Sequence, residues 1–178
     1  MLFRSVDLIL VATSTPDTIF PCVACEVQKE IGAANSPGFD LNAACSGFLF
    51  AYQTAQAYIQ AGLYKTILVI GADSMSQVID WTDRGTCILF GDGAGAVVLR
   101  AEAGGVSFHA AHSNGAGGNV LTGRSRHRKG WEEPKRMEET FLHMDGQQVF
   151  KFAVRSVPEI VEELLKQAQM KQIGRAHV

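Results

Sequence analysis

The chain has 178 residues, 47% of them apolar and 19% charged, enough for one domain with a sizeable core or for half of a larger protein. Sixteen Lys and Arg against eighteen Asp and Glu leave a net charge of −2. That balance excludes a disordered polyelectrolyte and a general nucleic-acid binder, and no apolar run approaches the ~20 residues that cross a bilayer. The opening MLFRSVDLILVAT carries an acidic residue inside its apolar stretch and no small-residue cleavage site, so the expected location is cytoplasmic.

Asp7–Thr13 (DLILVAT) is a continuous aliphatic run, the pattern of a strand covered on both faces. A polar loop with Pro16 follows, and Pro21 suits the first position of a helix that Gly32 ends. Pro37-Gly38 predicts a turn and Phe39–Ala43 a short strand. From Ser46 the longest amphipathic stretch predicts a helix closed by Gly62, and Thr66–Ile70 returns as a buried strand. Strand, helix, strand, helix, strand points to a parallel sheet with crossover helices.

The pattern then changes. Thr86–Phe90 and Ala94–Arg100 are separated only by Gly-Asp-Gly, which predicts a hairpin. Gly105–Ala111 reads as one more strand, and His112 to about Glu139 as a long polar surface excursion. Met144 to about Lys171 has helical periodicity, with Pro158 expected to kink or divide it. Ile173–Val178 fits no element and reads as a non-native tail. The expected organisation is a main α/β part over 1–112, an excursion over 113–143, a helical segment over 144–172, and the tail.

Cys45 is the outstanding candidate for chemistry. It lies in FDLNAACSGF, between a strand and the first turn of a long helix, where unpaired N–H groups and the helix dipole favour thiolate, the nucleophilic form. Ala43, Ala44 and Ser46 are small enough for a sharp turn, Gly47 leaves room for substrate to approach the backbone, and the Cys45 amide is placed to help bind an oxyanion. All four cysteines are expected to be free thiols. Cys22 and Cys25 form a CxxC without a second CxxC or a nearby His, so the pair reads as structural, and Cys87 as a core strand residue.

The glycines of Gly91–Ala96 resemble half of a nucleotide-binding fingerprint, but the residues after them read as strand, which rejects NAD. Arg124–Arg136 carries a local positive excess, by default a solvated loop and otherwise a landing site for an acidic partner. Trp81-Thr82-Asp83-Arg84 fits either a nucleotide-clasping pair or a structural corner. His109, His112, His127 and His143 are scattered, none with a neighbouring carboxylate that marks a dyad.

The runs DLNAACSGFLFAYQTAQAYIQAGLYKTILVIGAD and DWTDRGTCILFGDGAGAVVL closely resemble β-ketoacyl-acyl-carrier-protein synthase III, a thiolase-fold condensing enzyme. The resemblance runs from about Asp7 to Gln172 and covers the middle of the family's chain, roughly half. It implies one incomplete half of a duplicated α/β fold with a mixed, mostly parallel five-stranded sheet. It also implies that Cys45 takes a short acyl group from acyl-CoA as a thioester, and that malonyl-acyl-carrier protein loses carbon dioxide and attacks it. The product is a 3-oxoacyl-carrier protein, the first step of fatty acid synthesis, made without a cofactor or metal.

Further residues transfer from the family's pattern. Arg84 matches the arginine that packs on the CoA adenine; Phe90, Met75 and Leu142 match walls of the acyl pocket. Phe20 matches the residue that closes the pocket of a neighbouring subunit, implying a homodimer. Met144 and Gly146 fall near the pantetheine arm. The implied partners are acyl carrier protein and acyl-CoA, with no nucleic acid and no membrane. The family's catalytic His and Asn belong to the half that this sequence does not match, so the piece alone is expected to be inactive. Two other readings are a related synthase of polyketide or quinolone type and a non-catalytic partner that binds carrier protein. WTDRGT favours fatty acid initiation over the first, and a reactive cysteine argues against the second.

Overall fold

The computed structural model describes residues 5–105, 107–123 and 141–171; the basic stretch Arg124–Arg136 and the tail Ile173–Val178 lie outside them. The chain divides into two compact units. Residues 5–78 with 90–104 form one, and residues 79–89 with the described part of 105–171 form the other.

The first unit is built on strand β1 (Leu8–Ala12), every residue of which is buried. A strand alternates its side chains between faces, and both faces of β1 are covered. Leu8, Leu10 and Ala12 pack with Ala51 and Ala55 of helix α2 (Gly47–Gln60) and with Ile67 and Val69 of strand β3 (Thr66–Asp73). Ile9 and Val11 pack the other way, with Ala24 of helix α1 (Val23–Glu30), Ala33 and Leu68. Burying each large aliphatic side chain of this kind contributes about 1.5–3 kcal/mol. The aliphatic run in the sequence is therefore the central strand, as expected.

The sheet order is β2-β1-β3-β4, with β2 at Gly38–Leu41 and β4 at Gly93–Arg100. β1 pairs in parallel with both β2 and β3, whereas β4 runs antiparallel to β3 from Asp73↔Gly93 to Thr66↔Arg100. The sheet is mixed and mostly parallel, as read from the sequence, but among the described residues it has four strands rather than five. α1 and α2 end as expected at Gly32 and Gly62, whose φ of +68° and +73° suit a residue without a Cβ.

Three expectations fail. Thr86–Phe90 is a run of turns and not a strand, because bonds to Asp83 and within the run hold its backbone in a local turn. Asp83 Oδ1 accepts the Gly85 N–H at 2.9 Å, and Asp83 Oδ2 accepts the Thr86 hydroxyl at 2.8 Å. The Asp83 carbonyl accepts the Thr86 and Cys87 N–H groups. Such local bonds compete with a sheet ladder. The hairpin partner of β4 is therefore β3, and Asp92 closes the connection by accepting both the Ser76 N–H and the Ser76 hydroxyl at 2.7 Å. The described residues of 105–111 form no strand. Pro21 also precedes α1 instead of opening it: Asp40 of β2 accepts the Val23 and Ala24 N–H groups, each at 2.8 Å, which makes Cys22 the N-cap. The expected absence of a helix after the Gly91–Ala96 glycines holds, since β4 begins at Gly93.

In the second unit, strands β5 (Leu121–Thr122) and β6 (His143–Met144) pair antiparallel. Helix α3 (Gly146–Gln167) continues through Pro158 as one helix, capped by Asp145 Oδ1, which accepts the Gln148 N–H at 3.1 Å. Among the described residues no helix is long and apolar enough to cross a membrane.

Two outcomes follow for the whole protein. Ile9→Ala, which empties a fully buried site beneath α1, lowers unfolding free energy by about 2–5 kcal/mol in urea titration. The Ser76 N–H and hydroxyl hold the Asp92 carboxyl below its ordinary range. The ionised form is the one that binds Ser76, so this closure persists at neutral pH and is lost only as pH falls through the lowered value. The Ser76 amide resonance should titrate with a midpoint below that of an ordinary aspartate; a midpoint at or above it contradicts the assignment.

Candidate active site

In a sheet with parallel neighbours, the carboxyl ends of the strands gather along one edge, where ligands of α/β proteins bind. Ala12 of β1 lies between Leu41 of β2 and Gly71 of β3, so the loops that leave these strands share that edge. The loop after β2 holds Asn42, Ala43 and the 3-10 turn Ala44–Ser46, directly followed by α2. Cys45 is therefore at the strand-to-helix junction, as expected, and its thiol is free and exposed.

The junction is held in an uncommon conformation. Ala44 has φ +45°, a left-handed value that costs a non-glycine residue about 1–2 kcal/mol. The Ala44 N–H donates to Asn42 Oδ1 at 3.1 Å and the Ser46 N–H to the Ala43 carbonyl at 3.2 Å. The Gly47 N–H donates to the Ala44 carbonyl. These bonds hold Cys45 at the apex of a tight turn.

Gly47 serves a different purpose from the one expected of it. It is buried, and a Cβ placed there would lie 3.2 Å from Ala12 Cβ; a Cβ at Gly71 would lie 3.2 Å from the Phe48 ring. The two glycines let the first turn of α2 seat against β1 and β3, and the space at Gly47 is filled by β1 rather than kept for substrate. The loop after β1 is tied to the end of β3 through Asp73 Oδ1, which accepts the Ser14 N–H at 2.7 Å and the hydroxyls of Ser14 and Thr15 at 3.1 and 3.0 Å. The Ser74 N–H returns to Thr15 Oγ1 at 2.7 Å.

The remaining sequence candidates divide between the two units. Met75 opens the 3-10 turn Met75–Gln77 just after β3 and is half-buried. Phe90, also half-buried, is two residues from Asp92, so the Ser76–Asp92 bonds bring their segments together. Phe20 precedes α1 with 84% of its surface exposed. Arg84 (exposed, in the Asp83 turn), Leu142, Met144 in β6 and Gly146 at the start of α3 belong to the second unit. There His112 meets Glu163 at 2.6 Å on the surface. A separation of 51 positions hid that pair from sequence inspection. Asn42, Asp73 and Asp92 were also missed; an Asn two residues before a small residue at a strand end was the only local sign of any of them.

Comparison with known proteins bears on this geometry. A family model described as 3-oxoacyl-[acyl-carrier-protein (ACP)] synthase III matches residues 39–117, which include Cys45. The β-ketoacyl-[acyl-carrier-protein] synthase III of Synechococcus sp. (strain WH7803) is 47% identical over 94% of this chain and 51% of its own. That of Clostridium acetobutylicum is 45% identical over 90% of this chain and 51% of its own. The solved synthase III of Thermus thermophilus superposes with a TM-score of 0.83 at 35% identity, covering 95% of this chain and 52% of that one. A mixed, mostly parallel sheet that presents a free cysteine on a strand-to-helix turn is of the thiolase-like class. Within that class, the chain belongs to the β-ketoacyl-[acyl-carrier-protein] synthase III family. It spans about half the length of the curated relatives it matches.

Asn42→Ala removes the acceptor that holds the Ala44 N–H. The expected result is a loss of about 1 kcal/mol of stability in urea unfolding, together with slower alkylation of Cys45 by iodoacetamide.

Proposed function

We propose that the whole protein is a 3-oxoacyl-[acyl-carrier-protein] synthase III that condenses a short acyl-CoA with malonyl-acyl-carrier protein. The observation that carries this reading is the exposed Cys45 thiol on the Ala44–Ser46 turn at the carboxyl edge of three parallel strands. The Cys45 thiolate attacks the acyl-CoA carbonyl, a tetrahedral oxyanion forms, and its collapse releases the CoA thiolate and leaves an acyl thioester on Sγ. The amides of Ala44, Ser46 and Gly47 already donate within the junction, which points to the Cys45 N–H as the oxyanion donor of this turn. Malonyl-carrier protein then loses carbon dioxide. Its carbanion attacks the thioester carbonyl, and the Cys45 thiolate leaves. No cofactor enters this sequence of steps.

The other assignments rest on the family's pattern. Arg84 packs on the CoA adenine, Phe90, Met75 and Leu142 wall the acyl site, and Met144 and Gly146 lie along the pantetheine. Phe20 closes the site of a second copy in a homodimer, and its exposure is compatible with that role. The His and Asn that assist decarboxylation are supplied by the half of the family's chain that this sequence does not match. The 178 residues alone are therefore inactive, and the protein works in the cytoplasm.

Incubation with radiolabelled acetyl-CoA should label the whole protein at Cys45 and leave Cys45→Ala unlabelled. Malonyl-carrier protein should then discharge the label as 3-oxoacyl product, with no product from the 178-residue chain. Label retained by Cys45→Ala overturns the role of the thiol, and product from the chain alone overturns the need for the missing half. Longer or branched acyl-CoA primers in the same assay separate fatty acid initiation from polyketide-type priming.

A further inference from the structure

The structure sets a second pair of sulfur atoms apart from Cys45. Cys22 is the N-cap of α1 and Cys25 lies in its first turn. Their Sγ atoms are 3.4 Å apart, with Cys25 exposed and Cys22 half-buried. From the sequence the CxxC read as packing, because spacing alone does not say where the two side chains point. The observed geometry turns both to one side of the helix start, and we propose that Cys22 and Cys25 form an oxidisable dithiol, a site of reversible intramolecular disulfide formation separate from the acylation chemistry.

Three observations support this. A disulfide needs Sγ atoms ~2.05 Å apart, so each sulfur has to travel about 0.7 Å, within reach of small side-chain rotations. The backbone turn between the two residues is already formed. Asp40 holds the Val23 and Ala24 N–H groups at 2.8 Å, and the Cys25 N–H donates to the Cys22 carbonyl at 3.0 Å, so the turn that bridges the two residues is held independently of the thiols. The exposed Cys25 sulfur gives a small oxidant access, while Cys22 is placed as the resolving partner. The sulfur–sulfur hydrogen bond to Cys22, then burial, then the charges of Cys22 and Asp40 push the Cys25 thiol up from its ordinary value, so Cys25 rests as a thiol and oxidation runs through its minor thiolate form.

With a hydroperoxide as oxidant the step balances. One thiolate attacks a peroxide oxygen and breaks the O–O bond, becoming a sulfenic acid as hydroxide leaves. The second sulfur then attacks the first, the S–S bond forms, and a second hydroxide departs. The two thiol protons complete two waters, and the two electrons lost by sulfur are those gained by hydrogen peroxide. The same geometry suits a trivalent arsenical, whose As=O oxygen leaves as water when two As–S bonds form.

The test uses the whole protein, treated with hydrogen peroxide, alkylated and digested with trypsin without reduction. Both thiols fall in the Ser5–Lys29 peptide, whereas Cys45 falls in Glu30–Lys65. The expected product is a Ser5–Lys29 peptide lighter by two hydrogens that takes no iodoacetamide until dithiothreitol is added. Separate alkylation of both thiols, sulfinic or sulfonic acid at either, or a cross-link to Cys45 or Cys87 overturns the proposal. In a second arm, phenylarsine oxide should be retained by the reduced protein and by Cys45→Ser, and released roughly 10²-fold more readily from Cys22→Ser. Equal retention by Cys22→Ser overturns it.

Discussion

The close seating of α2 on the ends of β1 and β3 is the contact on which the other features of the first unit depend. Gly47 against Ala12 and Gly71 against Phe48 leave no room for a methyl group on either glycine without displacement, so the helix start and the strand ends approach as near as backbones allow. That approach places Ala51 and Ala55 on Leu8, Leu10 and Ala12. It also leaves the chain only a few residues in which to pass from strand to helix. The left-handed Ala44 and the exposed Cys45 follow from that short passage. The local strain, about 1–2 kcal/mol, is offset by the buried aliphatic contacts beneath it.

Carboxylates are the second recurring device. Asp7 accepts the Lys65 and Thr66 N–H groups, Asp40 those of Val23 and Ala24, Asp73 that of Ser14, and Asp92 that of Ser76. Each bond joins elements distant in sequence, and each satisfies backbone donors that a strand or helix end leaves without partners. Hydrogen bonds to a charged acceptor are stronger than neutral ones.

The chain thus carries two sulfur sites of different design. Cys45 stands alone on a strained turn before a helix of 14 residues, the site proposed for acyl transfer. Cys22 and Cys25 stand together at the start of a helix of 8 residues, where sulfur meets sulfur. β2 links the two, since its Asp40 binds the start of α1 and its end leads into the turn of Cys45. The oxidation state of one site and the reactivity of the other are therefore separable by the peptides in which they fall, even though one strand supports both.

The amino-acid order by itself determined the central strand, the neighbouring β3, the two glycine-ended helices, the existence of strand β4 and the place of Cys45, but not the partner of β4. Each of these is encoded in a stretch of consecutive residues, by hydrophobic period or by a residue with special backbone freedom. Local pattern misled at Thr86–Phe90, where apolar residues read as strand but Asp83 and its carbonyl take the backbone donors. It was silent on the positive φ of Ala44, on the His112–Glu163 pair and on the direction of the Cys22 and Cys25 side chains. Only the tertiary structure decided these, because each depends on which distant group fills a neighbouring space or accepts a particular proton, and short-range periodicity carries no record of that.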